Sequence, residues 1–367
     1  MKQSFAENKM KGIEKGLHNL LVRCAKIDSQ NRVLIVHEEE KYGFCDLNAV
    51  VQAKSYCDKL GADTEVIEIP FTPEAPVISP PIRRQMEEAD IVIFFARLVD
   101  QMRFRDFPSC SKTIMNYAST TSRLESNFGC ANYEEYCNLK FHLDDVFSKA
   151  EEIRVTCQRG TDFAGPGDRM MGKEGDVSII RYPMLVFSPI SVKGFSGKIA
   201  IPGFLVGTST NFYPNYLLEL EETLFVVFEG ERLVRFEGKA SDVDRTNAHL
   251  DFVSERYGLD RNRVFSWHAG IHPGNTYHEN ARINPMVWCS SCFGNPRLLH
   301  FHTCGNEPPG EISWNVLDPT ISVDGVEIWT EGTFNPHTVP GATMILDRSP
   351  DIKELMDHPG REIGLNL

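Results

Sequence analysis

The chain has 367 residues, 41% of them hydrophobic, enough to bury a large core and more than one domain usually holds. Its formal charge of -13 opposes phosphate backbones and anionic membrane surfaces, which argues against nucleic acid and membrane as partners. No apolar run approaches the roughly 18 residues of a membrane span, the N-terminal MKQSFAENKMKG lacks the apolar stretch of a signal peptide, and ten cysteines form no short disulfide framework, so a cytoplasmic protein with free thiols is expected.

In chain order, Met10, Ile13, Leu17, Leu20, Leu21 and Cys24 recur at three- and four-residue steps, which predicts one packed helix face. Arg32–Glu38 (RVLIVHE) is a short apolar run of strand character, DLNAVVQAKSYCDKL is helical and stops at Gly61, and TEVIEIP is a second strand. After the proline-rich loop Pro70–Pro81, EEADIVIFFA and KTIMNYAS supply two more strands, and Tyr133–Glu151 a helix. Strands alternating with helices imply a parallel, Rossmann-like sheet with ligands favoured at the strands' C-terminal ends. No GxGxxG follows the first strand and no GxxxxGK[ST] occurs, so the sheet carries no nucleotide signature. The turn-rich GTDFAGPG predicts a boundary near residue 165, giving domains 1–165 and 166–367. Beyond it, VSIIRYPMLVF, GKIAIPGFLVG and TLFVVFEGERLVRFEG are strand-like, the last a hairpin around Glu229-Gly230, and a helix follows that ends at Gly258. The fold class is α/β, with the second domain rich in strands.

Polar motifs concentrate late in the chain. In HFHTCG, His300 and His302 lie two apart on a predicted strand, so both face one side and are placed to chelate a metal, but the aromatic neighbours Phe293 and Phe301 favour a lined pocket or core containing hydrogen-bonded histidines. His268 and His272 of HAGIHPG are four apart, but Gly270 and Pro273 argue against the helix that would aim both at one ion. Cys289 and Cys292 of CSSC offer zinc donors without the usual second pair, and read as reduced structural thiols. NEPPGE reads as a rigid acidic loop and His337 as a surface-loop residue, while Phe212, Tyr213, Tyr216 and Trp267 line either a pocket or the core.

The ordered series IRVTCQRGTDFAG, GKIAIPGF, LFVVFEGERLVRFEGKASDVDRTNAHL, FSWHAGIHPG, CFGNPRLLHFHTCG and ISVDGVEI resembles the 2,5-dihydroxypyridine dioxygenase family and its aminopeptidase T-type relatives over most of the chain. That resemblance implies a homodimer and a non-haem Fe(II) held by two histidines and an aspartate, an arrangement that leaves one metal face open. His268 matches the first ligand. Counting back from Asp324-Gly325 puts Glu311 at the second histidine and Ser313 at the aspartate; a shortened strand puts Val316 and Asp318 there instead. Either way the second histidine is missing.

Two functions follow. The first is a metal-free scaffold without cofactor that binds a peptide or small molecule in a pocket of His268, His302, Glu311 and Trp314, presenting it to a partner enzyme in natural-product biosynthesis. A peptide would then dock on a sheet edge near Glu307–Trp329, where Pro308, Pro309 and Pro319 cannot donate to a ladder and Glu307, Glu311 and Asp318 favour a basic partner. The second is an Fe(II)-dependent ring-cleaving dioxygenase with its ligands rearranged to His268, His302 and Glu311.

Overall fold

The fold is described from a computed structural model that covers residues 10–72, 77–102, 112–169, 179–207 and 213–365. Two compact units divide the chain, each built from more than one segment. The first takes residues 1–137, 177–184 and 349–355, and the second takes 138–176, 185–348 and 356–367. Residue 165, where the turn-rich sequence suggested a boundary, instead ends a strand of the second unit, because the strands on either side of that turn pair with each other.

The first unit holds a five-stranded parallel sheet in the order Asp63–Ile69, Arg32–Glu38, Ile91–Phe95, Lys112–Asn116, Ile180–Tyr182. Val33 to Val36 and Ile91 to Phe95 are all buried, as expected where both sheet faces are covered. Helix Leu47–Leu60 begins where the Asp46 carboxylate accepts from the Ala49 amide and ends at Gly61, whose φ of 84° lies in the left-handed region that glycine adopts most readily. The strand order reverses direction between Arg32–Glu38 and Ile91–Phe95, where such sheets usually bind ligands. Here that crevice holds a buried ion pair. Glu38 accepts from the Arg97 amide at 2.9 Å, from Nε at 3.0 Å and from Nη2 at 2.6 Å, and the guanidinium lies 3.9 Å from the Phe71 ring centre.

The second unit contains two sheets. One has eight strands, in the order Arg232–Glu237, Leu224–Glu229, Ser196–Ile201, Asp162–Gly165, Ile153–Thr156, Thr320–Val323, Val326–Thr330, Thr333–Phe334. The other has six, in the order Leu217–Glu219, Phe204–Gly207, Glu311–Leu317, Leu298–Cys304, Val264–Ala269, Ile190–Ser191. Period-two alternation decides what each face of the six-stranded sheet presents. Trp267, Phe301 and Trp314 stand opposite one another on adjacent strands and form an aromatic row. It packs on Phe163 and Phe228 of the eight-stranded sheet, with ring centres 5.3–5.7 Å apart for Phe163–Phe301, Phe163–Trp267 and Phe228–Phe301. Burial of these rings drives the two sheets together. No helix among the described residues is long and apolar enough to cross a membrane.

Two expectations about the late strands need correction. Trp314 was expected beside His268 and His302, but it is three residues from Glu311 and so faces the aromatic core on the opposite side of the sheet. Glu311–Leu317 was expected to offer an edge to a peptide, yet it lies inside the sheet, between Phe204–Gly207 and Leu298–Cys304. Thr320–Val323 and Val326–Thr330 are likewise interior to their sheet. Pro308 and Pro309 interrupt no ladder, because they occupy the turn between paired strands. Glu307 is exposed in that turn, and Asp318 is held by the fork of Arg297 at 2.6 and 2.7 Å and by Arg361 at 3.3 Å.

Candidate metal centre

The face of the six-stranded sheet opposite the aromatic row is polar and, apart from the half-buried Ser266, buried. Ser266 and His268 on one strand, His300, His302 and Cys304 on the next, and Glu311, Ser313 and Asn315 on the third share it. A bulge between Val264 and Ser266 brings Ser266 opposite His302 and His268 opposite His300. His268, His300 and His302 are 4%, 6% and 7% exposed, and one ring nitrogen from each lies within 4.8 Å of the others. Among the described residues no other group of His, Cys, Asp and Glu side chains converges in this way.

The hydrogen bonds fix what the ring nitrogens present. His268 Nδ1 lies 3.1 Å from the Phe187 carbonyl, which can only accept, so Nδ1 carries a proton, and in a neutral ring Nε2 then presents a lone pair. That Nε2 is 2.7 Å from His300 Nε2, close enough for one ring to donate to the other. His302 Nδ1 is 3.2 Å from Ser266 Oγ. Phe293 lies over His300 with ring centres 4.7 Å apart, an apolar cover on one flank.

A divalent transition ion fits this donor set. Imidazole nitrogen suits zinc, iron, nickel and copper, and histidine ligands characteristically donate their second N–H to a carbonyl or hydroxyl, as His268 does to Phe187. A second observation points the same way. Asn315, opposite His300 and 5% exposed, has no hydrogen-bond partner for Oδ1 or Nδ2 among the described residues. Leaving such a buried group unmet costs about 1–3 kcal/mol, a penalty that a group bound at this face would relieve.

Glu311 lies on the same face, opposite Cys304, but outside the converging group; its Oε1 accepts from Ser313 Oγ at 3.4 Å. His300 takes the place the sequence reading gave to Glu311. Its spacing from His302 was the available signal. Tyr213 packs on His249, Phe252 and Tyr257 of helix Ala240–Tyr257, and burial, then Cys304, Tyr257 and Glu311, holds its phenol well above the usual range. Burial also pushes the neighbouring His249 down to about 4, so that imidazole is neutral near pH 7.

The remaining expected residues lie elsewhere. His272 is buried and accepts the Gly274 amide at Nδ1 in a turn, so of the HAGIHPG pair only His268 joins the cluster. Gly270 sits between them because a Cβ there would come within 2.3 Å of the Asn295 carbonyl oxygen. Cys289 and Cys292 are buried on helix Pro285–Cys292. Trp267 is in the aromatic core, Tyr216 is buried, His337 is exposed, and Phe212 lies outside the described residues. A hollow of about 640 Å³ lined by Asp162, Lys198, Glu229, Arg235 and Glu237 contains none of these histidines.

No protein-family model matches the sequence, and no curated protein does. Among solved structures, the fold is similar to that of a 2,5-dihydroxypyridine dioxygenase from Pseudomonas putida KT2440, with a TM-score of 0.59 and 13% identity over 90% of this chain and 98% of that one. The resemblance read from the order of motifs thus extends to a shared fold with a dioxygenase.

Proposed function

We propose that the protein is a metal-dependent oxygenase that opens a dihydroxylated aromatic ring, with His268, His300 and His302 as its metal ligands. The observation that carries this reading is the convergence of three buried imidazoles on one sheet face, in a fold shared with a dioxygenase. The metal-free alternative rested on the missing second histidine; His300 and His302 on the neighbouring strand offer imidazoles from another position. When bound, an ion such as Fe(II) supplies Lewis acidity and electron-transfer chemistry at a site shielded from water.

The chain's own groups do the rest. The Phe187 carbonyl holds His268 in the tautomer that leaves Nε2 unprotonated, and Ser266 orients His302. Phe293 shields His300 and limits access of water from its side. Asn315 presents both a donor and an acceptor to whatever occupies the face. Glu311, buried nearby, is a carboxylate placed to take or return a substrate proton.

The test is elemental analysis of protein purified without chelator, followed by oxygen uptake with Fe(II) across dihydroxylated pyridines and benzenes. The expected result is about one tightly bound ion per chain, lost in His268→Ala and His300→Ala, and oxygen consumption with at least one ring. Protein free of metal that also fails to take up Fe(II), Zn(II) or Co(II) refutes the proposal.

A further inference from the structure

The metal-site reading leaves unexplained a second polar cluster in the same unit, formed by Lys140, Asp144 and Ser188. Lys140 and Asp144 stand four apart on helix Tyr133–Lys149, so their side chains share a face. Lys140 Nζ donates to Asp144 Oδ2 and to Ser188 Oγ, both at 2.7 Å. Ser188 Oγ donates to Asp144 Oδ2 at 2.9 Å, and the Ser188 amide donates to Asp144 Oδ1 at 3.0 Å. Ser188 is fully buried, and the Lys140 and Asp144 side chains are less than one-fifth exposed.

The peptide unit between Phe187 and Ser188 has two ends, and both are used. Its N–H donates to Asp144, and its carbonyl accepts from His268 Nδ1 at 3.1 Å. The segment is pinned against the His268 strand on either side, by Val186 opposite Gly270 and by Ile190 opposite Trp267. A carboxylate that accepts the N–H of an amide polarises it, and the carbonyl at the other end becomes a stronger acceptor. A stronger acceptor holds the His268 proton on Nδ1 and makes Nε2 a better donor to a metal, as carboxylates that contact a ligand histidine directly do.

We infer that Asp144, anchored by Lys140 and Ser188, is a positioning residue that sets the tautomer and donor strength of His268 through the Phe187–Ser188 peptide. The metal-affinity part of this inference rests on the metal centre proposed above; the tautomer part does not.

The experiment uses the full chain and two readouts. NMR of ¹⁵N-histidine-labelled, metal-free protein reports the His268 tautomer, and Co(II) titration followed by visible absorption reports affinity. Asp144→Ala is expected to weaken Co(II) binding roughly tenfold, the low end for loss of an outer partner, and to bring the Nε2–H tautomer of His268 into view. Asp144→Asn keeps an oxygen to accept the Ser188 amide but loses the charge, so its affinity is expected to fall between the two. If the alanine variant does not fold, the asparagine variant decides: a measurable loss of affinity supports the inference, and wild-type affinity with an unchanged tautomer overturns it. Wild-type affinity and an unchanged tautomer in a folded Asp144→Ala protein also overturn it. Wild-type protein that binds no Co(II) refutes the metal centre instead, and the tautomer measurement then decides the inference alone.

Discussion

Replacing Arg97 with methionine isolates the energetics of the plugged crevice in the first unit. Glu38 and Arg97 are each 1% exposed, and the Glu38 carboxylate accepts from three Arg97 nitrogens, two of them in the guanidinium. The substitution removes those two and leaves only the backbone amide for a carboxylate out of reach of water. Stranding a buried charge costs about 3–5 kcal/mol. In a unit of about 150 residues each kcal/mol is worth roughly 2–4 °C, so the melting temperature falls by roughly 6–20 °C. Methionine at both positions removes the stranded charge and keeps apolar volume beside Phe71 and Phe44, so the double variant recovers most of the loss. Urea denaturation with hydrogen exchange of strands Arg32–Glu38 and Ile91–Phe95 reads both effects. A single variant within about 1 kcal/mol of wild type, or a double variant no better than the single, refutes the argument.

Three other outcomes follow. Because His249 is held at about 4 when folded and titrates near 6.5 when unfolded, the unfolded chain takes up a proton first; its contribution is present above pH 6.5 and is lost as pH falls from 6.5 to 4. Denaturation curves across that window are expected to show a drop of roughly 3 kcal/mol that His249→Gln flattens, and an equal slope in the variant would contradict this. Trp314→Ala is expected to cost about 3–5 kcal/mol, whereas Trp314→Phe leaves Co(II) affinity unchanged because position 314 faces away from the histidines; a large affinity loss in the phenylalanine variant would return Trp314 to the site. Burial pushes the thiols of Cys24, Cys45 and Cys57 up to about 12, so peptide mapping after alkylation of native protein at pH 8 is expected to find them unmodified and the half-buried Cys157 labelled.

The sequence was readable wherever a residue's role depended on near neighbours. The runs at 32–38, 64–70, 87–96 and 112–119 all become strands of one parallel sheet, and the hairpin at Glu229-Gly230 forms as its glycine predicts, with φ of 55°. Illegible were pairings set by distant segments. Ile180–Tyr182 completes the first sheet from beyond the apparent boundary, and Ile153–Thr156 pairs with Thr320–Val323. At the candidate site, the two-residue spacing of His300 and His302 was visible, and so was the alternation of Glu311, Ser313 and Asn315 with Ile312, Trp314 and Val316. Grouping Trp314 with Glu311 went against that alternation. What no spacing announces is that a bulge at residues 264–266 aligns His268 with His300, or that the Phe187 carbonyl arrives from another segment to fix its proton.

The strand Leu298–Cys304 is buried on both sides, with imidazoles on one face and Phe301 on the other. A slip of one residue in its pairing would thrust both histidines among Phe163, Phe228 and Trp267 and turn Phe301 toward Ser266 and Ser313. The two faces therefore proofread each other during folding: the oily side rejects every register that misplaces the rings, and the surviving register is the one that gathers the three imidazoles. Assembly of the candidate centre is in this sense a by-product of core formation.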